Sequence, residues 1–318
     1  MQLLTNEKVV NIMENTLNHV DARLIDHGKR VAYMMYKLLA PRYRFDERRL
    51  RDICILAMLH DVGAYKTEEI DKMMIFETVD IWAHSIYGYL FLKYFSPLKD
   101  LAPVVLFHHA ECDKITSLDS EHQLLAQLIS LCDRADIHLL YKANMRGFRN
   151  HVEKYRDIKY RGDIVDMFLE SGMDISGIHE DIGRDEGFNR VFHNTQMTGA
   201  EVDGYIEMII RSIDFRSSQT VIHSVAVAAA AVSLAGLTGA DESGIRKIGT
   251  GAMLHDIGKI GIPVRILENS GRLNAGDMEI MKTHVVISEE ILDGNVDEDV
   301  KLIAVRHHEK LDGTGYPR

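Results

Sequence analysis

The sequence predicts an all-α protein made of two helical bundles in tandem, and three observations carry that reading. Apolar residues recur at helical rather than alternating spacing, with no sustained period-two run bounded by hairpin turns. Only 5 prolines interrupt 318 residues, and Met, Leu and Ile are abundant. An ordered set of histidines and aspartates occurs twice along the chain.

The lead-in segments come first. Residues 5–27 place Val9, Met13, Leu17, Val20 and Leu24 on one helical face, and residues 198–223 do the same with Val202, Ile206, Ile210 and Ile213. Thr5 before Glu7 and Thr198 before Glu201 read as N-cap starts. Next come two near-identical heptapeptides, Ala57–Gly63 (AMLHDVG) and Ala252–Gly258 (AMLHDIG). Each ends an apolar helix, and Gly63 and Gly258 are expected as glycines just past the helix C-terminus. The doublet would then sit where unsatisfied carbonyls and the helix dipole favour cations.

The flanking histidines keep order and spacing. His27 lies 33 residues before His60, and His223 lies 32 before His255. His84 follows Asp61 by 23 residues, and His284 follows Asp256 by 28. His108-His109 comes 24 after His84, and His307-His308 comes 23 after His284. Asp133 follows His109 by 24 residues on an apolar helix, with Asp136 as its competitor three residues on. These matches predict a duplication, with one domain over 1–195 and the second over 198–318. Residues 140–197, polar and glycine-containing, read as two or three short helices plus a connector. His122, His138, His151, His179 and His193 have no counterpart in the other repeat and read as surface or core residues.

Composition excludes several classes. Apolar residues make up 46% and charged residues 27%, as in a globular protein with a core. The net charge of −11, from 37 basic and 48 acidic residues, argues against a polymeric nucleic-acid partner. It leaves room for a small phosphorylated ligand held through metal. Three cysteines, Cys54, Cys112 and Cys132, form no disulfide framework, and Cys54 reads as a buried small hydrophobe. The apolar run Val225–Ala235 is too short to span a bilayer, and the N-terminus has no signal-peptide pattern. A cytoplasmic location and no membrane partner are the expectation.

Imidazole and carboxylate together suit Mn, Fe, Zn, Co or Ni better than Ca or Mg. The candidate ligands of repeat one are His27, His60, Asp61, His84, His108, His109 and Asp133; those of repeat two are His223, His255, Asp256, His284, His307 and His308. Seven donors exceed the needs of one tetrahedral ion and suffice for two bridged by an aspartate, a centre that activates water for attack on phosphorus. Lys259, one turn past the second doublet, is placed to neutralise developing charge.

At these residues the chain resembles the HD superfamily of metal-dependent phosphohydrolases. Residues 198–318 are similar to its HD-GYP subfamily. The resemblance rests on His223, on His255–Pro263 (HDIGKIGIP), on Met281–His284 (MKTH) and on His307–Pro317 (HHEKLDGTGYP). Residues 1–195 resemble a plainer HD domain. The resemblance implies two HD-type bundles and a bi- or trinuclear metal centre, with Fe or Mn the leading ions. It implies hydrolysis of cyclic di-GMP, with Asp61 and Asp256 catalytic through the metals and Lys259 at the scissile phosphate. Gly315, Tyr316 and Pro317 would lie near the substrate.

Three departures qualify these expectations. Gln219 and Arg23 stand where some members carry a glutamate for a third metal, so two metals per site are expected. Ala64 takes the place of Lys259 in repeat one, where Lys66 is nearby but out of register. The aspartate of repeat two that would match Asp133 falls near position 332, beyond the sequence, so a truncated chain is expected, with a degenerate second repeat as the alternative. Two alternatives stand beside the phosphodiesterase reading. One is a nucleotide or phosphate-monoester hydrolase at the N-terminal site. The other is a non-catalytic ligand-sensing or scaffolding protein with one or both sites degenerate; separately, a truncated bundle is expected to cover exposed apolar surface as a homodimer.

Overall fold

The computed structural model describes residues 6–64, 81–140, 145–174, 177–216 and 223–317. Among these the architecture is all-α, with no sheet and one isolated bridge between Arg156 and Tyr160. The chain divides into two compact units: residues 23–196, and residues 1–22 together with 197–318. The division falls beside Asp21, whose extended backbone (φ −162°, ψ 109°) interrupts the long helix α1 (Asn6–Leu39). Residues 1–22, expected to open the N-terminal bundle, therefore group with the second unit. No described helix is long and apolar enough to cross a membrane.

In the unit of residues 23–196, the second half of α1 is followed by α2 (Glu47–Met58), α3 (Ile81–Phe95), α4 (Ala102–Leu106) and α5 (Ser120–Leu140). Asp46 caps α2 by accepting the Arg49 N–H at 2.7 Å. The apolar face of α2, with Cys54 among its members, is buried. The segment expected to form two or three short helices forms α6 (Met145–Lys154), α7 (Gly162–Glu170), α8 (Ile178–Arg184) and α9 (Glu186–Asn189), then a π-helical turn over Arg190–Asn194. Its Phe188 ring packs edge-on against Tyr33 and Tyr36 of α1, with centroids 5.3 and 5.5 Å away.

In the other unit, α10 (Gly199–Arg216) opens on a reciprocal cap. The Glu201 N–H donates to Thr198 Oγ1 at 3.3 Å, and the Thr198 N–H donates to Glu201 Oε2 at 2.6 Å. The matching start expected at Thr5 lies outside the described residues. There follow α11 (His223–Leu237), α12 (Glu242–Leu254), a 3₁₀ turn over Ile257–Gly261, α13 (Val264–Leu267), α14 (Ala275–Lys282), α15 (His284–Leu292) and α16 (Glu298–Val305). Asp241 caps α12 by accepting the Gly244 N–H at 2.7 Å. Both capping aspartates, Asp46 and Asp241, stand fourteen residues before the histidine of the doublet.

The glycines after the doublets correct the expectation from sequence. Neither Gly63 nor Gly258 has a positive φ, so neither is a left-handed cap. Each instead marks a helix crossing with no space for a Cβ. A methyl group on Gly63 would strike the His84 carbonyl oxygen, and one on Gly258 the His284 carbonyl oxygen. The neighbour across the crossing is Gly88 in one unit and Ser288 in the other. Ser288 Oγ accepts the Gly258 N–H at 2.9 Å. These contacts dock the doublet turn onto the helix that carries the third histidine.

Candidate metal centres

In the unit of residues 23–196, five segments deliver donors to one point. They are α1 (His27), the turn after α2 (His60, Asp61), α3 (His84), the turn after α4 (His108, His109) and α5 (Asp133). Gly28 leaves no room for a Cβ against the Met58 carbonyl, which brings His27 beside the end of α2. Asp61 lies between two groups of donors. Its Oδ2 is 3.4 Å from His60 Nε2 and 3.9 Å from His27 Nε2. Its Oδ1 is 3.5 Å from His84 Nε2 and 3.6 Å from His108 Nε2. Asp133 completes the first group at 3.2 Å from His27 Nε2, and His109 completes the second at 3.0 Å from His84 Nε2. His27, His60 and Asp133 thus form one potential ligand set, and Asp61, His84, His108 and His109 another.

The unit holding 197–318 repeats this plan. Asp256 Oδ2 faces His255 Nε2 at 3.1 Å and His223 Nε2 at 3.9 Å. Asp256 Oδ1 faces His284 Nε2 at 3.6 Å and His307 Nε2 at 3.7 Å. The ligand sets here are His223, His255 and Asp256, and His284, His307 and His308. Lys259 Nζ donates to Asp256 Oδ2 at 2.7 Å.

Buried polar atoms need partners, and several atoms at these points have none. Asp61 Oδ1, His60 Nε2, His108 Nε2 and Asp256 Oδ1 are buried with no hydrogen-bond partner. Those are atoms a metal would take. The other ring nitrogens are already engaged: His60, His108, His255, His284 and His307 each direct Nδ1 at the carbonyl three residues back, at 2.5–2.8 Å. Such bonds fix the tautomer and leave Nε2 as donor to a metal. Burial, with neighbouring imidazoles adding to it, holds His84, His307 and His308 down to about 4. Their rings are neutral near pH 7 and present a lone pair. Asp256 lies far below the usual carboxylate range: burial opposes ionisation, but His255 and Lys259 outweigh it.

Asp136, expected as a rival of Asp133, has a different place. It accepts from His27 Nδ1 at 2.7 Å, on the far side of the ring from Asp133. Arg30 grips both its carboxylate oxygens, Nη2 at 2.7 Å from Oδ2 and Nε against Oδ1. Burial disfavours a charged His27, yet Asp133 and Asp136 push its pKa up to about 10. Arg30 and Asp136 thus orient the His27 imidazole, whereas from sequence Arg30 had no role and Asp136 only that of a rival ligand. Arg30 follows His27 by three residues and Asp136 follows Asp133 by three, so each shares a helical face with the donor it serves. Gln219 and Lys66 lie outside the described residues.

Residues 206–318 match the HD domain family. Among relatives of this chain, the 3′3′-cGAMP-specific phosphodiesterase 1 of Vibrio cholerae is 27% identical over 95% of this chain and 74% of its own length. The cyclic di-GMP phosphodiesterase response regulator RpfG of Xanthomonas campestris is 36% identical over 35% of this chain. A cyclic di-GMP phosphodiesterase of Thermotoga maritima is 39% identical over 36% of it. The chain spans only 30% and 32% of those two proteins. The crystal structure of the Vibrio cholerae cyclic GMP-AMP phosphodiesterase V-cGAP3 shares the fold. It aligns over 91% of this chain and 79% of its own at a TM-score of 0.57 and 15% identity.

Proposed function

We propose that this protein hydrolyses a phosphodiester bond of a cyclic dinucleotide at a two-metal centre that Asp256 and the histidines around it would hold. One observation carries the reading: in each unit a single aspartate directs its two oxygens at separate imidazole groups, with one of those oxygens orphaned. Two first-row ions per centre, with Fe or Mn preferred and Zn, Ni or Co accepted, supply Lewis-acid polarisation of phosphoryl oxygens and a water of lowered pKa when bound.

The protein's own groups supply the rest. His223 and His255 stand on one side of Asp256, and His284, His307 and His308 on the other, with the Nδ1 bonds of His255, His284 and His307 fixing the tautomers of those three rings. The Lys259 ammonium, only one turn from Asp256, stands ready to pair with a non-bridging phosphate oxygen or to give a proton to the leaving oxygen. The Gly315–Pro317 loop borders the same centre, with the Tyr316 ring 4.6 Å from that of His308. The substrate class comes from the relatives, whose names give both 3′3′-cGAMP and cyclic di-GMP.

The N-terminal centre supports a second reading. His27, His60, His84 and His108 are 0–4% exposed, whereas the His223 side chain is 55% exposed. So closed a set favours a smaller ligand there, a nucleotide or other phosphate monoester. The test is turnover by the full chain loaded with Mn or Fe, supplied in parallel with 3′3′-cGAMP, cyclic di-GMP and p-nitrophenyl phosphate. Linear dinucleotide is the expected product. A metal-loaded protein that cleaves none of the three would overturn the hydrolase reading in favour of a ligand sensor.

A further inference from the structure

His308 differs from the other imidazoles of its centre in what holds it. His255, His284 and His307 each have Nδ1 tied to the carbonyl three residues back. Among the described residues no hydrogen bond reaches either ring nitrogen of His308. Its ring lies instead against Tyr316, with centroids 4.6 Å apart and planes 22° from parallel. The backbone is shaped to make that stack. The Tyr316 N–H donates to the His308 carbonyl at 3.3 Å. A Cβ on Gly315 would collide with the same carbonyl oxygen and with Lys310 N, so glycine is required where the loop folds back. Lys282 Nζ stands 5.7 Å over the Tyr316 ring, on the helix that leads into His284.

We propose that Tyr316 is a positioning residue for a metal ligand: its ring fixes the plane of the His308 imidazole, doing by stacking what a carbonyl does for the neighbouring ligands. Gly315 and Tyr316 then act on the substrate site through His308. The inference rests on the reading of His284, His307 and His308 as one metal set.

The experiment uses the full chain, with manganese alone as the probe and no nucleotide present, so that a substrate contact cannot produce the effect. Mn(II) binding is titrated by electron paramagnetic resonance in an Asp61→Asn background, which isolates the C-terminal centre. Tyr316→Phe keeps the ring and is expected to bind as the parent does. Tyr316→Leu removes it and is expected to weaken one Mn(II) by about tenfold, the lower end of what losing an orienting partner costs. His308→Asn is expected to weaken the same ion, and Tyr316→Leu added to His308→Asn is expected to cost nothing more. A purely structural role for Tyr316 would not give that coupling. Unchanged Mn(II) affinity in Tyr316→Leu overturns the proposal, and so does a further tenfold loss when it is added to His308→Asn. A parent chain whose C-terminal centre takes no Mn(II) would instead overturn the metal reading itself.

Discussion

The two centres share a plan and differ in their surroundings. Each has an aspartate just past the end of an Asp-capped helix, with an imidazole pair facing one oxygen and a second pair facing the other. In the N-terminal centre, Asp133 meets His27 from one side and the Arg30–Asp136 pair holds it from the other, and the donors are buried. In the C-terminal centre, Lys259 approaches the bridging aspartate, Tyr316 stacks on the outermost imidazole, and His223 is open to solvent. The contrast separates holding an ion from transforming a ligand. On the proposed reading the shared donors do the first. Among the described residues, the cation and the open approach that a bulky diester needs occur together in the C-terminal centre.

That division can be broken by substitution. The largest effect is expected from Asp256→Asn, which removes a bridging charge. Cyclic dinucleotide hydrolysis should fall by at least about 10³-fold, equivalent to roughly 4 kcal/mol of lost charge stabilisation. Asp61→Asn should leave most of that activity intact. Equal loss in both variants, assayed by chromatography of the products, would mean that the two centres work as one. Lys259→Met comes next, with an expected drop of about 10²–10³-fold in kcat and unchanged metal content by elemental analysis. A loss of metal in parallel would recast Lys259 as a structural partner of Asp256.

Asp136→Asn sharpens the comparison from the other side. It should weaken metal at the N-terminal centre by about 10–100-fold and leave the C-terminal centre untouched, as calorimetric titration of each centre would show. The smallest effect concerns the shared scaffold. Gly63→Ala and Gly258→Ala each force a methyl group into a helix crossing, at about 1–3 kcal/mol. Thermal melts should fall by several degrees for both, at about 2–4 °C per kcal/mol for domains of this size. A melt unchanged in one variant would mean that its crossing relaxes without cost.

The recurring donors were legible in the sequence because ligation demands particular side chains in a fixed order, and a duplication prints that order twice. The all-α class was legible from the periodicity. What the sequence hid was how each donor is aimed. Arg30 looks like an ordinary charged residue, and Asp136 like a rival ligand, until the folded chain brings them together across 106 positions. Gly63 and Gly258 look like helix terminators because glycine ends many helices, but the need they answer is a tertiary one, an approach between backbones. The interruption of α1 beside Asp21 was also hidden, since the apolar spacing continues through it. The grouping of residues 1–22 with the second unit depends on contacts with residues nearly 200 positions away and beyond, such as His19 with Glu290 at 3.6 Å.

Counting bound ions tests the account most directly. Elemental analysis of the full chain purified with manganese should give four ions per chain, and two in each of Asp61→Asn and Asp256→Asn, with neither variant changing the other's centre. A wild-type chain with no tightly held ions, or variants that keep the full complement, would contradict the bridging role of the two aspartates.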